Sequence, residues 1–413
     1  MKVLVVSNID GVSGAARACY RGHRASLSIG IESRLLVKKK YSKDESVVTA
    51  GLPYGKFIDK LFDYYVRFKR KNYTVKNDVS YTLAIHPDQL LSYIETFDPD
   101  IVNLHWVSKA FIRLESLAKI NKPIVWTLHD MWVFTGGCHY TQGCEKYKDQ
   151  CGACPVLSSD TQADLSAWIF KRKKTVYKNL SNFHIVTPSR WMGQCASESS
   201  LLEDIPVHIL PYAIDTDSFK PRSREEAKKK WNIPQDKTLI LFGALKATGD
   251  QRKGFMELQE ALRLLPKNDN TELLVFGSSE DKGLQALGFK VNFVGRISDD
   301  NSLTELYSAA DVMVVPSLQE NLSLTIIESL SCGLPVVAFD IGGNKDMIDH
   351  KESGYLAEEN NNQDLANGID WVIKEVTKSD QLSKNAREKV LNTYNEALIA
   401  QKQLSLYQSI IGH

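Results

Sequence analysis

Apolar residues fall into short β-rich runs, KVLVVS (2–7), IVNLHW (101–106), PIVWTLHD (123–130) and HIVTPS (184–189), separated by stretches long enough for helices. Such alternation predicts a parallel sheet whose strands are joined by crossover helices. The pattern restarts at Thr238, with LILFGA (239–244), ELLVFGS (272–278), VNFVG (291–295), DVMVVPS (311–317) and PVVAFD (335–340). It predicts two doubly wound α/β domains in series, and two domains imply a cleft. Between them LPYAIDTDSFKPRSREEAKKKWNIPQD (210–236) holds three prolines and a charged helical piece and reads as a linker. The expected boundaries are 1–208 for an N-terminal domain, 209–236 for the linker and 237–395 for a C-terminal domain. Residues 396–413 continue a strandless tail with helical spacing, expected to return to the N-terminal domain.

A length of 413 residues agrees with two domains of roughly 200 residues each. With 51 Lys and Arg against 50 Asp and Glu, a nucleic-acid coat is not indicated, so any anion site must be local. MKVLVVSNIDG at the N-terminus is a strand and turn rather than the apolar core of a signal peptide. No stretch reaches about 18 apolar residues. A cytoplasmic protein is expected, in which seven cysteines argue against a disulfide framework and draw attention to how they cluster.

Two glutamates stand out in SLQENLSLTIIESLSCGLPVVAFDIGG (317–343), where the other side chains are mostly apolar, small or hydroxylated. For any two glutamates the ordinary reading is a loop charge and a half-exposed helix residue. Here a loop and a helix lie between two strands, with Ser323 placed to cap the helix and Gly333 and Pro335 to end it. A helix entered from the carboxyl end of a parallel strand aims its positive N-terminus at the crevice where such folds bind ligands. Glu320 precedes that N-terminus, and Glu328 lies roughly 7–8 Å further along at 1.5 Å per residue. A nucleotide diphosphate sugar has the matching layout, with phosphates in the middle and hydroxyls at both ends.

PSLQENLSLTIIESLSCGLPVVAFDIGGNKDMI (316–348), preceded by YSAADVMVVPS (307–317) and followed by ESGYL (352–356), resembles the Glu-x7-Glu signature of retaining glycosyltransferases of glycosyltransferase family 4. The resemblance covers nearly all of 237–372, and PYAIDTDSFKP (211–221) is similar to the family's linker pattern with Ala213 in place of a glycine. It implies the GT-B fold, two Rossmann-like domains facing across a cleft that closes to exclude water. It also implies that Glu320 holds donor-sugar hydroxyls, that Glu328 holds the ribose, and that the amides of Asn321, Leu322, Ser323, Leu324 and Thr325 approach the sugar and diphosphate. In FGALKATGDQRKGFMEL (242–258) Lys253 fits the family's phosphate-binding lysine. Its arginine position reads as Ala244, leaving Arg252 or Lys246 to supply the second cation. Two cations and a helix dipole hold a departing diphosphate without metal, so no cofactor is required for catalysis.

SNIDGVSGAARACYRGHRASL (7–27) follows the first strand, and Gly11 and Gly14 permit the close backbone approach that a phosphate loop needs. The loop is similar to the family's Gly-Gly-Ala loop; alone it is an ordinary strand-to-helix turn. His129 and Asp130 end a buried strand at its carboxyl edge. By resemblance to the family's strand-end His-Asp, His129 contacts the reacting sugar, which it orients and polarises. The acceptor then attacks on the face the diphosphate leaves, and a diphosphate oxygen takes the acceptor proton. His105 is open between core and acceptor pocket.

GGCHYTQGCEKYKDQCGACPVL (136–157) gathers Cys138, Cys144, Cys151 and Cys154. One structural zinc is the leading reading, with reduced packed thiols or disulfides as alternatives and His139 as a substitute ligand. This loop resembles a cysteine-bearing insert in some bacterial surface-polysaccharide glycosyltransferases. KFIDKLFDYYVRFKRKNYTVK (56–76) carries seven Lys and Arg against two Asp among aromatics, suiting either a solvated helix or peripheral contact with an anionic inner membrane face. The Asp-Thr-Asp at 215–217 reads as a turn rather than a metal motif. The function expected is a retaining glycosyltransferase moving a sugar from a nucleotide diphosphate sugar to a saccharide or lipid-linked acceptor in cell-surface polysaccharide biosynthesis. The alternatives are a nucleotide-sugar epimerase or hydrolase of the same fold and a non-catalytic, zinc-stabilised accessory subunit.

Overall fold

The computed structural model describes residues 1–11, 13–51, 55–75, 79–243, 250–266, 270–277, 282–297 and 299–412. The chain divides into two compact units, Met1–Tyr212 with Ile399–His413, and Ala213–Leu398. In the first, seven strands form one parallel sheet: β1 (Lys2–Ile9), β2 (Glu32–Lys39), β3 (Val47–Thr49), β4 (Ile101–Leu104), β5 (Ile124–Thr127), β6 (Phe183–Thr187) and β7 (Val207–Ile209). Their order is β3-β2-β1-β4-β5-β6-β7, so the winding reverses between β1 and β4. Loops leaving the carboxyl ends of strands beside such a reversal are where doubly wound sheets bind ligands. Four of these strands coincide with the expected apolar runs. β2, ESRLLVKK, is charged at both ends, and β3 and β7 are three-residue strands at the two sheet edges.

Side chains of β1 alternate between the two sheet faces. Leu4 and Val6 join Leu104, Trp126 and Leu128 on one face, while Val3 and Val5 meet Cys19, Tyr407 and Ile410 on the other. The second group is completed by the helix Glu396–Ile411. Its Tyr407 hydroxyl accepts from Asn103 Nδ2 of β4 and from Gln403 Nε2, each at 2.6 Å. The polar tip of this fully buried ring is thereby satisfied.

The second unit holds a six-stranded parallel sheet: β8 (Thr238–Gly243), β9 (Thr271–Phe276), β10 (Lys290–Gly295), β11 (Val312–Val315), β12 (Val336–Phe339) and β13 (Gly354–Ala357). The order β10-β9-β8-β11-β12-β13 again reverses at one place, between β8 and β11. Residues 213–236, expected to join two domains, pack into this unit. Arg387 donates to the carbonyls of Phe219 (2.6 Å) and Thr216 (2.7 Å), and Arg224 pairs with Asp311. A fully buried Phe219 explains why this stretch folds rather than hangs between units. Asp215 Oδ1 accepts the amides of Asp217 and Ser218 at 2.9 Å each, making the Asp-Thr-Asp a turn.

Tyr407→Ala is expected to lower stability by about 3–5 kcal/mol, the usual loss for a large buried aromatic. A urea unfolding midpoint measures it, and a midpoint equal to wild type contradicts the role given to this helix.

Candidate functional site

In the second unit the loops after β8 and β11 meet. Gly254 has φ 71°, and a Cβ there would lie 1.6 Å from the Pro316 carbonyl oxygen, so only glycine permits this approach. Leu318 N donates to Arg252 O at 2.9 Å and closes the junction. The 3-10 turn Gln251–Lys253 thereby delivers Lys253 Nζ to Glu320 Oε2 at 2.7 Å, with Arg252 Nη1 3.7 Å from the same oxygen. Burial by itself would raise the Glu320 carboxyl, but Lys253 and Arg252 outweigh it and hold the group below the usual glutamate range. On the far side Gly342, at φ 51°, has no room for a Cβ, which would lie 2.0 Å from Glu320 O. Of the two positions offered for a second cation, Arg252 stands beside Lys253, while Ala244 and Lys246 lie outside the described residues.

The helix Leu324–Ser331 starts three residues past Asn321, whose amide donates to Glu320 Oε1 at 3.3 Å. Ser323 occupies the N-cap position but makes no side-chain cap, so the capping expected from sequence is not what orders this end. Asn321, Leu322, Ser323 and Leu324 are buried, and Thr325 is half-buried. Glu328 is buried on the same helix, its Oε2 accepting from the Tyr307 hydroxyl at 3.0 Å. Tyr307 went unremarked in the sequence reading although it opens the YSAAD motif; its partner lies 21 positions away. The two glutamates therefore flank one helix start, each already held by a hydrogen-bond donor.

In the first unit Gly11 (φ 79°) and Gly14 follow β1, both exposed and with open space where a Cβ would stand. Ser13 caps the helix Gly14–Ser28 by accepting from Ala16 N at 3.4 Å. At the ends of β4 and β5, His105 Nδ1 lies 2.9 Å from His129 Nε2, and His129 Nδ1 lies 2.7 Å from the Tyr212 hydroxyl. Tyr212 stacks on the His129 ring at a centroid distance of 5.3 Å. Burial pushes His129 down to about 4 against a mild opposing pull from Asp130, and burial together with His129 lowers His105. The pair is therefore uncharged at neutral pH. Asp130 points elsewhere: it accepts from His139 Nδ1 (2.6 Å), Trp106 Nε1 (2.8 Å) and the Trp132 amide (3.0 Å). Burial opposes its charge, but these donors win and keep it below the usual carboxylate range.

Asp130 thus ties the strand end to the cysteine loop, because His139 also meets Thr82 Oγ1 at 2.9 Å through Nε2. Both His139 nitrogens are engaged, which removes it as a substitute metal ligand in this arrangement. Cys138, Cys144, Cys151 and Cys154 are free thiols that line one half-open pocket. As they stand, no group of three or more His, Cys, Asp or Glu side chains among the described residues is drawn close enough to hold an ion.

Residues 223–389 match the family model described as Glycosyl transferases group 1. The chain carries a glycosyl transferases group 1 domain. Both glutamates, Lys253 and Tyr307 fall inside the group 1 domain. The chain is 30% identical over 49% of its length, and 54% of the relative's, to the N,N'-diacetylbacillosaminyl-diphospho-undecaprenol alpha-1,3-N-acetylgalactosaminyltransferase of Campylobacter jejuni. With the protein of Escherichia coli named for colanic acid biosynthesis, glycosyl transferase WcaC, it shares 25% identity over 63% of each chain. The chain spans about half the length of the curated relatives it matches. In fold it is similar to sucrose-phosphate synthase from Thermosynechococcus elongatus, with a TM-score of 0.71 and 20% identity over 100% of this chain and 99% of that one. That likeness bears out the GT-B fold expected from the sequence.

Unfolded His129 takes up a proton near its ordinary pKa of 6.5, whereas the folded group holds out to about 4. Stability is therefore complete above pH 6.5 and falls as pH drops toward 4. Urea midpoints across that range should decline less steeply in His129→Gln, with His23, also lowered to about 4 by burial, keeping part of the slope. An unchanged slope rules out the buried neutral imidazole.

Proposed function

We propose that the protein is a retaining glycosyltransferase of family 4. It takes a sugar from a nucleotide diphosphate sugar and places it on a saccharide or lipid-linked acceptor in the building of cell-surface polysaccharide. The observation that carries this reading is the pair of buried glutamates flanking the start of the helix Leu324–Ser331, with Lys253 and Arg252 beside the first. Buried carboxylates are costly unless something pairs with them, and sugar and ribose hydroxyls are donors suited to share that role with Lys253 and Tyr307. The helix start offers amide donors from Asn321 to Thr325 to the diphosphate, and the two cations offset its charge as it leaves.

His129 serves the acceptor side. His105 and Tyr212 take both of its ring nitrogens here, so contact with the reacting sugar requires one of those hydrogen bonds to be exchanged; as a neutral imidazole it then orients and polarises a hydroxyl and is no strong base. The acceptor proton goes to an oxygen of the departing diphosphate, so no metal enters the reaction. Gly11 and Gly14 leave open backbone for a phosphate or sugar. A diphospho-undecaprenol acceptor in the name of the Campylobacter relative, and colanic acid in that of the Escherichia protein, favour the lipid-linked and polysaccharide class.

Nucleoside diphosphates and their sugars should raise the melting temperature of the wild type. Glu328→Ala should weaken the best of them by tenfold or more, about 1.4 kcal/mol. If none shifts the wild type, the donor reading fails; if Glu328→Ala binds equally, its ribose role does. Sugar released from the donor without any acceptor favours the hydrolase or epimerase alternative.

Peripheral membrane contact belongs to the same proposal. On the helix Gly55–Arg70, Phe62 and Val66 pack inward beside Tyr81 and Leu83, while Leu61, Tyr64, Tyr65 and Phe68 stand exposed among Lys60, Arg67 and Lys69. Exposed aromatics within a basic face suit an anionic lipid surface. Among the described residues no helix is long and apolar enough to cross a membrane. Co-sedimentation with phosphatidylglycerol vesicles is expected, and Tyr64→Ser with Phe68→Ser should reduce it several-fold. Equal binding by the variant refutes the role of this face.

A further inference from the structure

We propose that Cys138, Cys144, Cys151 and Cys154 close on one zinc ion that staples the loop following β5. The loop has almost no regular secondary structure. From Leu128 to Asp164 the only regular elements are three-residue 3-10 turns, Trp132–Phe134, Lys146–Lys148 and Pro155–Leu157. Irregular segments this long inside a compact domain are uncommon unless something ties them. All four thiols are free and line one cavity, whose remaining wall includes no carboxylate and no imidazole. A purely thiol donor set is the set that structural zinc takes.

The backbone is turned toward the sulfurs. Gly136 N donates to Cys151 Sγ at 3.1 Å, and the amides of Val156 and Leu157 face Cys154. Residues at positive φ precede three of the four cysteines, Gly137 (φ 122°) before Cys138, Gly143 (φ 83°) before Cys144 and Ala153 (φ 42°) before Cys154. Lys146 Nζ grips the carbonyls of Gly152 (3.0 Å) and Ala153 (2.7 Å), fixing the two residues between Cys151 and Cys154. Gly136 and Gly152 tolerate no Cβ, which would lie 2.6 Å from Ser166 O and 2.5 Å from Gln162 O. Buried Lys173 donates from Nζ to Thr135 O at 2.9 Å and anchors the segment that leads into Cys138. His139 is committed to Asp130 and Thr82, leaving four sulfurs rather than three and an imidazole. As they stand the four do not form a ready-made ion cage, so binding draws the sulfurs inward from the wall of the pocket they share. Zinc–sulfur bonds of about 2.3 Å then form as the thiols release their protons to solvent.

Full-length protein purified under reducing conditions without added metal is expected to carry close to one zinc per chain by atomic emission. Stripped of metal and titrated with cobalt(II), it should develop thiolate-to-cobalt charge transfer and tetrahedral bands that saturate at one equivalent. Cys151→Ser with Cys154→Ser should lose both the zinc and the bands. Should that variant fail to fold, the cobalt titration of wild type decides by itself: no charge transfer in the reduced protein overturns the proposal. So does zinc retained by the double variant, or the loss of free thiols to disulfides in metal-free protein.

Discussion

A carboxylate removed from water must keep company with a cation, and the second unit is arranged around that requirement at Glu320. Burial alone would neutralise it; Lys253 at 2.7 Å and Arg252 at 3.7 Å keep it charged. Those cations arrive on a different loop from the glutamate, so two backbones must approach more closely than any side chain permits. Gly254 against Pro316 and Gly342 against Glu320 supply that closeness from opposite sides. The glycines of the KG and GG dipeptides are thus part of the electrostatics, because without them the charges are separated. Glu328 and Tyr307 extend the same economy of buried polar partners one helical turn further.

The first unit solves a different problem. Its strand-end histidines are buried without a carboxylate of their own, since Asp130 turns away to His139 and Trp106. One unit therefore concentrates charge beside a helix start, and the other keeps its strand-end histidines neutral.

Much of this was legible in the sequence because it rests on local pattern. Apolar runs marked the four buried strands β1, β4, β5 and β6 and the last domain's restart, while β2, β3 and β7 escaped because charged ends or edge positions erase the pattern. The glutamates, Lys253 and His129 could be picked out by spacing relative to strand ends. Their partners could not. Tyr307, Tyr212 and Thr82 become meaningful only through pairings 21, 83 and 57 residues distant along the chain. Residues 213–236 misled for a related reason: prolines and charges suggest a tether, yet Phe219 and Arg387, far apart in sequence, bury the stretch in the second unit.

The helix carrying Tyr407 lies on the face of β1 and β4, although nearly the whole chain separates them in order of synthesis. While the ribosome is still making the second unit, Val3 and Val5 have only Cys19 and their near neighbours for cover. β1 is therefore among the last of these strands to have its core finished. A chain cut before Tyr407 and Ile410 would leave that sheet face part-covered, so the order of the sequence and the order of the core run opposite ways.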